Sequence, residues 1–153
     1  FLDHLNDKLL ASYTGINGSF VTAFYGGYDA RSREFKYASA GHNPPRLLSG
    51  GGVVALDAVG GLPLGIMPTQ ECSEATVCLR PGDVLALYTD GIVEAQDAGN
   101  DLFDVRRLDE ILRGHAGPMA VLAETISARV NAFTGTGEKP PSDDRTLLLA
   151  RVE

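Results

Sequence analysis

The sequence predicts an α+β fold built in layers, in which strands pair mainly through short hairpins and helices are grouped apart from them. Short apolar or aromatic runs separated by turn residues fill most of the chain as far as Tyr88, and two helical patterns follow together after Asp104. One further apolar run closes the sequence. A chain of 153 residues can bury a sizeable core, so we expect one domain spanning residues 1–153.

The first half of the chain predicts one helix followed by paired strands. An amphipathic helix is indicated at the start, where four residues recur at helical spacing: Leu2, Leu5, Leu9 and Tyr13. Gly15 and Gly18 are typical of residues that end a helix. The turn residues Asp29–Ser32 separate the first two strands, as in a hairpin. The strands predicted here are Phe20–Tyr28, Glu34–Ala40, Pro44–Leu48, Val53–Leu56 and Glu71–Leu79.

The second half predicts a buried strand, two helices and a closing strand. Val84–Tyr88 is almost continuously apolar, which is typical of a strand buried on both faces. The first helix has Asp104 as its expected N-cap, and its apolar positions are Val105, Leu108, Ile111 and Leu112. The second helix is marked by Met119, Leu122, Ile126, Val130 and Phe133. A polar loop, Gly135–Pro141, leads to the closing strand, Leu147–Val152.

Composition favours a soluble protein that does not bind nucleic acid. The formal net charge is -7, whereas nucleic-acid partners require a basic face. No apolar stretch approaches the roughly 18–20 residues that span a bilayer, so we expect no direct membrane contact. Cys72 and Cys78 are too far apart along an extended strand to form a disulfide. We expect both to be reduced thiols, which is consistent with a cytoplasmic location.

Two carboxylate clusters at predicted strand boundaries are the strongest candidates for chemistry. Tyr88-Thr89-Asp90-Gly91 follows one apolar run, and Ser142-Asp143-Asp144-Arg145-Thr146 precedes another. Carboxylates held at the rim of buried strands can converge on a hard divalent cation such as Mg²⁺ or Mn²⁺. Each cluster alone is a weak signal, since a turn or a loop cap accounts for it, and their spacing does not establish that they converge.

A third unusual segment is Ala40-Gly41-His42-Asn43-Pro44-Pro45. Gly41 permits a positive φ and the two prolines restrict the exit, so a rigid turn is one interpretation. His42 could alternatively act as a general acid or contact a phosphate. Arg46 and Arg145 are further candidate phosphate contacts, although a surface salt bridge is the more ordinary role for an arginine.

Taken in order, these segments resemble the SpoIIE/RsbU branch of the metal-dependent (PPM-type) serine/threonine protein phosphatases. The order of the motifs over nearly the whole chain makes the resemblance more specific than any single motif. The matching motifs are Phe20–Gly26, Tyr37–Pro45, Gly61–Gly65, Pro81–Asp83, Tyr88–Ala95, Leu102-Phe103 and Asp143–Leu148. The family's domain normally begins upstream with a Gly-Asp-x-Ser-Gly-His-Gly motif, which this sequence lacks. We therefore expect the domain to be N-terminally incomplete.

The resemblance implies an αββα layered sandwich of two mainly antiparallel sheets flanked by helices, here without its N-terminal strands. It also implies hydrolysis of phosphoserine or phosphothreonine by two Mn²⁺ or Mg²⁺ ions that activate a shared water and neutralise phosphoryl oxygens. By the family's motifs, Asp90 and Asp143 are metal ligands, and Asp144 is a supporting catalytic residue or an occasional ligand. The absent upstream motif would supply another Asp and a backbone carbonyl.

The resemblance further implies a role in bacterial partner-switching signal transduction. The substrate would be a phosphorylated anti-sigma-factor antagonist, which after dephosphorylation binds the anti-sigma factor and frees the sigma factor. An upstream sensor domain in the parent chain is another implied partner. Because missing edge strands would leave sheet edges open, we also expect self-association, for instance as a homodimer.

Two alternatives stay open at this point. Without the upstream metal motif, the chain could be a non-catalytic binding or regulatory module that docks an antagonist or a sensor domain. It could also be a β-rich ligand-binding domain in which no metal takes part. Tight binding of two manganese ions would argue against the first alternative, and an effect of Asp143→Ala on ligand affinity would argue against the second.

Overall fold

The computed structural model describes residues 1–14, 20–68, 71–135 and 143–153. The chain divides into two compact units, one formed by Phe1–Pro44 with Leu56–Arg80 and the other by Pro45–Ala55 with Pro81–Glu153. Each unit contains one antiparallel sheet and at least one helix, which confirms the predicted α+β class with two antiparallel sheets.

The helices and strands follow the predicted order along the chain. The helices are α1 (Leu2–Leu9, extended by a π-helical turn over Leu10–Thr14), α2 (Asp90–Val93), α3 (Asp104–Arg113) and α4 (Met119–Thr134). The strands are β1 (Ala23–Asp29), β2 (Glu34–Ala40), β3 (Arg46–Ser49), β4 (Gly52–Ala55), β5 (Glu74–Cys78), β6 (Val84–Tyr88) and β7 (Leu147–Arg151).

Most sequence predictions of these elements are confirmed, with shifted boundaries. β2 and β6 have the predicted ends, whereas the other strands differ from prediction by one to three residues at an end. The short helix α2 was not predicted, because Asp90-Gly91 is a common turn pair. The predicted helix end at Gly15 and Gly18 lies outside the described residues, as do the side chain of Tyr13 and most of the predicted polar loop.

The first unit is a three-stranded sheet in the order β1-β2-β5, all antiparallel, packed with α1. Leu2 of α1 is buried in one apolar cluster with Ala38, Ala40 and Leu64. Asn6 joins α1 to the chain after β4, because its Nδ2 donates to the Met67 carbonyl and its Oδ1 accepts from Gly65 N, both at 2.8 Å. A buried polar side chain with both groups paired fixes the helix without leaving an unsatisfied amide.

The second unit is a four-stranded antiparallel sheet in the order β4-β3-β6-β7, with α3 and α4 packed against it. β6 is buried at four of its five positions, which agrees with the prediction of a strand buried on both faces. The helices contribute five fully buried side chains to the same core: Leu108, Leu112, Leu122, Ile126 and Val130. Burial of each such side chain stabilises the fold by about 1.5–3 kcal/mol before entropy is counted.

Asp104 was predicted as the N-cap of α3, but it is the first residue of the helix and the N-cap position is Phe103. Asp104 adopts a φ of 69°, which Asp tolerates better than most residues, and its Oδ1 accepts a hydrogen bond from Arg106 N at 2.8 Å. The Asp104 carboxylate thus satisfies one exposed amide of the first turn, as an N-cap side chain would, from one position further along the chain.

Two further findings concern the cysteines and the membrane. Cys72 is half-buried and Cys78 is exposed, and no disulfide joins these two described residues. Cys72 N donates to Asp3 Oδ1 at 2.9 Å, and this hydrogen bond lowers the pKa of the Asp3 carboxyl. No helix in the described ranges is long and apolar enough to cross a bilayer.

Candidate functional site

The pairing of β6 with β7 brings the two carboxylate clusters side by side. The ladder runs to the pair Tyr88 and Leu147, the last residue of β6 and the first of β7. Thr89 N then donates to the Thr146 carbonyl at 3.1 Å, so the pairing continues beyond the strands. In an antiparallel pair, residues that come later on one strand lie opposite residues that come earlier on the other. Asp90 therefore lies opposite the segment just before Thr146, which contains Asp143.

Thr89 makes the second connection between the two clusters. Its Oγ1 donates to the Asp144 carbonyl at 3.2 Å and accepts from Thr146 N at 2.9 Å. One hydroxyl thus satisfies two backbone groups of the opposite segment, where the regular ladder ends.

Gly91 makes the third connection, because its backbone lies against that of Asp144. A Cβ placed on Gly91 would collide with the Asp144 carbonyl, a backbone group that cannot swing away as a flexible side chain could. The Gly of the Thr-Asp-Gly motif is therefore required for a close backbone approach.

Arg145 makes the fourth connection and extends it to α4. Its Nε donates to the Gly91 carbonyl at 3.1 Å, and its Nη1 donates to Asn131 Oδ1 at 2.8 Å. The expectation of a surface salt bridge for Arg145 is not met among the described residues, where its hydrogen bonds go to a carbonyl and a side-chain amide.

The three predicted catalytic carboxylates, Asp90, Asp143 and Asp144, are all exposed. Asp90 Oδ1 accepts from Gly91 N at 2.9 Å, and Asp143 Oδ1 accepts from Asp144 N at 2.8 Å. These local bonds orient the carboxylates of Asp90 and Asp143 through one oxygen each. Within the described parts of the chain, no group of three or more His, Cys, Asp or Glu side chains is arranged to hold a metal ion. The carboxylate oxygens present suit Mg²⁺ or Mn²⁺, and they would form part of a coordination shell.

A cavity of about 280 Å³ lies beside the connected segments in the second unit. Its lining is mainly apolar with a polar edge: Ile92, Ile126, Ser127, Val130, Asn131, Arg145 and Leu147. The hydrogen-bonded pair of Arg145 and Asn131 forms part of that edge.

His42 lies in the first unit, in the turn that its neighbours predicted. Gly41 has a φ of 68°, and a Cβ there would lie 2.6 Å from Pro63 Cγ, so the rigid-turn interpretation is confirmed. His42 Nδ1 is 3.3 Å from Thr22 Oγ1, and the His42 carbonyl accepts from Ser39 Oγ at 3.4 Å. Its role as a general acid or phosphate contact stays a prediction.

Arg46 forms an ion pair that the sequence did not reveal. Its Nε and Nη2 donate to the two carboxylate oxygens of Asp109 on α3, at 2.7 and 2.5 Å. The expected salt bridge is therefore present, but the side chains are only 14% and 9% exposed, so the expectation of a surface pair is wrong. The sequence held no signal for it, because the partners are 63 positions apart.

Tyr88, the residue before the Thr-Asp-Gly segment, is buried in the second unit. It is 4% exposed, and burial raises the pKa of its hydroxyl. The charge of Arg46 opposes this increase and that of Asp109 adds to it.

Comparison with known proteins places the chain in a class of phosphatase-related domains. The chain belongs to the Stage II sporulation protein E (SpoIIE) family, whose model matches residues 1–153. It is 31% identical over 133 residues to the phosphoserine phosphatase RsbU of Bacillus subtilis (strain 168), covering 86% of this chain and 39% of RsbU. It is 30% identical over 122 residues to protein IcfG of Synechocystis, covering 80% of this chain and 19% of IcfG. The chain thus spans well under half the length of either curated relative.

A solved structure supports the fold as well. The SiaA-PP2C domain of Pseudomonas aeruginosa superposes with a TM-score of 0.81 at 27% identity, covering 96% of this chain and 58% of that chain. The resemblance to the SpoIIE/RsbU branch predicted from the sequence is confirmed. The roles of Asp90, Asp143 and Asp144 stay predictions.

Proposed function

We propose that the chain is part of a bacterial metal-dependent protein phosphatase that hydrolyses phosphoserine or phosphothreonine. The observation that carries the proposal is the continued pairing of β6 with β7, which sets Thr89-Asp90-Gly91 against Asp143-Asp144-Arg145 in a chain of the SpoIIE family. Identity of 31% to a phosphoserine phosphatase supports the same reaction. We further propose that both units belong to one phosphatase domain, since the family match covers residues 1–153.

Asp90 and Asp143 would hold Mn²⁺ or Mg²⁺, with Asp144 beside them. When bound, such ions lower the pKa of coordinated water and neutralise charge on a transferring phosphoryl group. Two side-chain carboxylates do not fill the six positions around Mg²⁺, so waters and further ligands from the whole protein would complete two ion sites. The role of Thr89, Gly91 and Arg145 is to hold the two carboxylate segments together.

The proposed substrate is a phosphorylated anti-sigma-factor antagonist in the cytoplasm. The proposal follows the family, in which RsbU is a curated relative of this chain. An upstream sensor domain and self-association as a homodimer belong to the same proposal. The acidic balance of -7 is consistent with a protein substrate rather than a nucleic acid.

The test is phosphate release from a phosphoserine antagonist protein by the full-length protein, with Mn²⁺ and then with a chelator. Wild-type turnover should depend on Mn²⁺, and Asp90→Asn or Asp143→Asn should lower it at least about 100-fold, about 2.7 kcal/mol of lost transition-state stabilisation. Asp101→Asn, also an exposed aspartate of the second unit, is the matched control and should leave turnover unchanged. Undiminished turnover in both Asp90→Asn and Asp143→Asn would refute the proposed site.

A second candidate function is a non-catalytic binding module. The observation that favours it is that no group of three metal-binding side chains occurs among the described residues. This candidate predicts that the full-length protein binds the phosphorylated antagonist in a calorimetric titration and releases no phosphate at any Mn²⁺ concentration. Measurable Mn²⁺-dependent release excludes it.

A further inference from the structure

We infer that Arg145 is a positioning residue that sets the spacing of the Asp90 and Asp143 carboxylates by joining their segments to each other and to α4. The inference rests on the proposed function, because it assigns Arg145 a task in metal binding. The two hydrogen bonds from Arg145, to the Gly91 carbonyl and to Asn131 Oδ1, are called the Arg145 bridge below.

The Arg145 bridge connects three parts of the second unit through one side chain. Gly91 is the residue after Asp90, and Arg145 lies two residues after Asp143. Asn131 lies near the end of α4, a helix of 16 residues whose Leu122, Ile126 and Val130 are buried in the core. The guanidinium is a planar fork, so its two donors fix two acceptors at once. The bridge therefore ties both carboxylate segments to a firmly packed helix.

The segment that carries Asp90 needs such support. α2 has only four residues, and so short a helix has little stability of its own. Asp90 is exposed at its first position, and the Gly91 carbonyl next to it accepts the Arg145 Nε hydrogen bond. Without the bridge, Thr89 would still join the segments near the strand end, but the chain beyond it would have one fewer fixed contact.

Metal affinity depends on ligand spacing, since Mg²⁺ requires near-ideal octahedral geometry. Loss of a group that orients a metal ligand typically lowers affinity about 10–100-fold. We expect removal of the Arg145 bridge to lower Mn²⁺ affinity by the same factor. Turnover should then recover when Mn²⁺ is raised to saturation. A purely structural role for Arg145 predicts lower stability with unchanged Mn²⁺ affinity.

The variants separate the hydrogen bonds of Arg145 from its packing. Its side chain also lines the cavity with Ile126 and Val130, so truncation to alanine would change both properties. Arg145→Met keeps an unbranched apolar side chain against the cavity and removes the donors. Asn131→Leu removes one acceptor, whereas Asn131→Asp retains an acceptor oxygen for Arg145 Nη1.

Arg151 supplies the matched control. It also belongs to the segment containing β7 and also donates to a backbone carbonyl, from Nη2 to Gly117 at 2.5 Å, but at the other end of the strand. Arg151→Met therefore removes an equivalent arginine hydrogen bond away from the carboxylates.

The experiment is a calorimetric titration of the full-length protein with Mn²⁺, alongside phosphate release as a function of Mn²⁺ and a thermal unfolding midpoint for each variant. We expect the Mn²⁺ dissociation constant to rise about 10–100-fold in Arg145→Met, to rise less in Asn131→Leu, and to stay within about threefold of wild type in Asn131→Asp and Arg151→Met. If Arg145→Met does not fold, the comparison of Asn131→Leu with Asn131→Asp decides the question.

The outcomes distinguish this inference from the proposed function. Unchanged Mn²⁺ affinity in Arg145→Met or in Asn131→Leu, with affinity lost in Asp90→Asn, would overturn the positioning role and leave the phosphatase proposal standing. Unchanged affinity in Asp90→Asn and Asp143→Asn as well would overturn both. Equal losses in Arg145→Met and Arg151→Met would also overturn the inference, because the effect would then be general destabilisation.

Discussion

Replacing Asp109 by alanine is expected to destabilise the second unit strongly. The substitution leaves the guanidinium of Arg46, which is 14% exposed, without the carboxylate that accepts two of its hydrogen bonds. Removing one partner of a buried ion pair typically destabilises a protein by about 3–5 kcal/mol, because the remaining charge stays in a poorly solvated site. Set against a total stability of about 5–15 kcal/mol, this is a large fraction.

The two partners of this ion pair are not expected to contribute equally. In Arg46→Leu, Asp109 keeps a second cation, since Arg113 Nη2 lies 3.8 Å from its Oδ2. Arg113 is 47% exposed, so it can only partly replace Arg46, and the loss should be smaller than in Asp109→Ala but clearly measurable. The double variant Arg46→Leu/Asp109→Leu removes both charges and should return close to wild-type stability.

Circular dichroism measures these differences, as the free energy of unfolding in a urea titration and as the midpoint temperature of thermal unfolding. For a domain of this size, a loss of about 3–5 kcal/mol corresponds to a fall of about 6–20 °C in the thermal midpoint. Glu74→Ala is the control, because it removes a carboxylate from the exposed Lys36–Glu74 pair and should leave the midpoint unchanged. A loss below about 1 kcal/mol in Asp109→Ala, or a double variant that loses as much stability as the two single variants together, would show that the pair is not a buried ion pair of this kind.

Gly91, Asn6 and Tyr88 each support a further prediction. Gly91→Ala should lower Mn²⁺-dependent phosphate release at least about tenfold, because its methyl group collides with the Asp144 carbonyl. Gly27→Ala is the control, since nothing lies within 4 Å of a Cβ there, and equal activity in both variants would contradict the close approach. Asn6→Ala should lower the free energy of unfolding by about 2–4 kcal/mol in a urea titration, since two backbone groups lose their partner; a loss no larger than that of the exposed Asp7→Ala would contradict this. Burial raises the pKa of Tyr88, so the stability that its neutral hydroxyl contributes is complete below about pH 10 and is lost as pH rises through the raised pKa. Tyr88→Phe should therefore lose less stability than wild type at alkaline pH. The same pH profile of stability in both proteins would contradict this.

The elements predicted best are those that a local run of residues specifies. Val84–Tyr88 is continuously apolar and is the buried strand β6, with its ends as predicted. The start of α3 was predicted to within one residue, because Asp104 was expected as the N-cap and is the first residue of the helix. Where β1 begins was predicted less well, because Phe20–Thr22 has strand-like residues but the ladder starts only at Ala23.

The connections around the candidate site could not be predicted in the same way. Arg145 and Gly91 are 54 positions apart, and their hydrogen bond depends on the register of β6 against β7. No local pattern measures that register, although the apolar runs placed both carboxylate clusters at strand boundaries. The four-residue helix α2 was missed for a related reason, since so short a helix forms through tertiary contacts rather than through local periodicity.

The central claim is that the ends of β6 and β7 together form a metal site. The most direct test is the stoichiometry and affinity of Mn²⁺ binding to the full-length protein, compared with Asp90→Asn, Asp143→Asn and the control Asp101→Asn. We expect two bound ions in wild type and in Asp101→Asn, and a large loss of affinity in each of the other two variants. Mn²⁺ binding that is the same in all four proteins, or absent from the wild type, would contradict that claim.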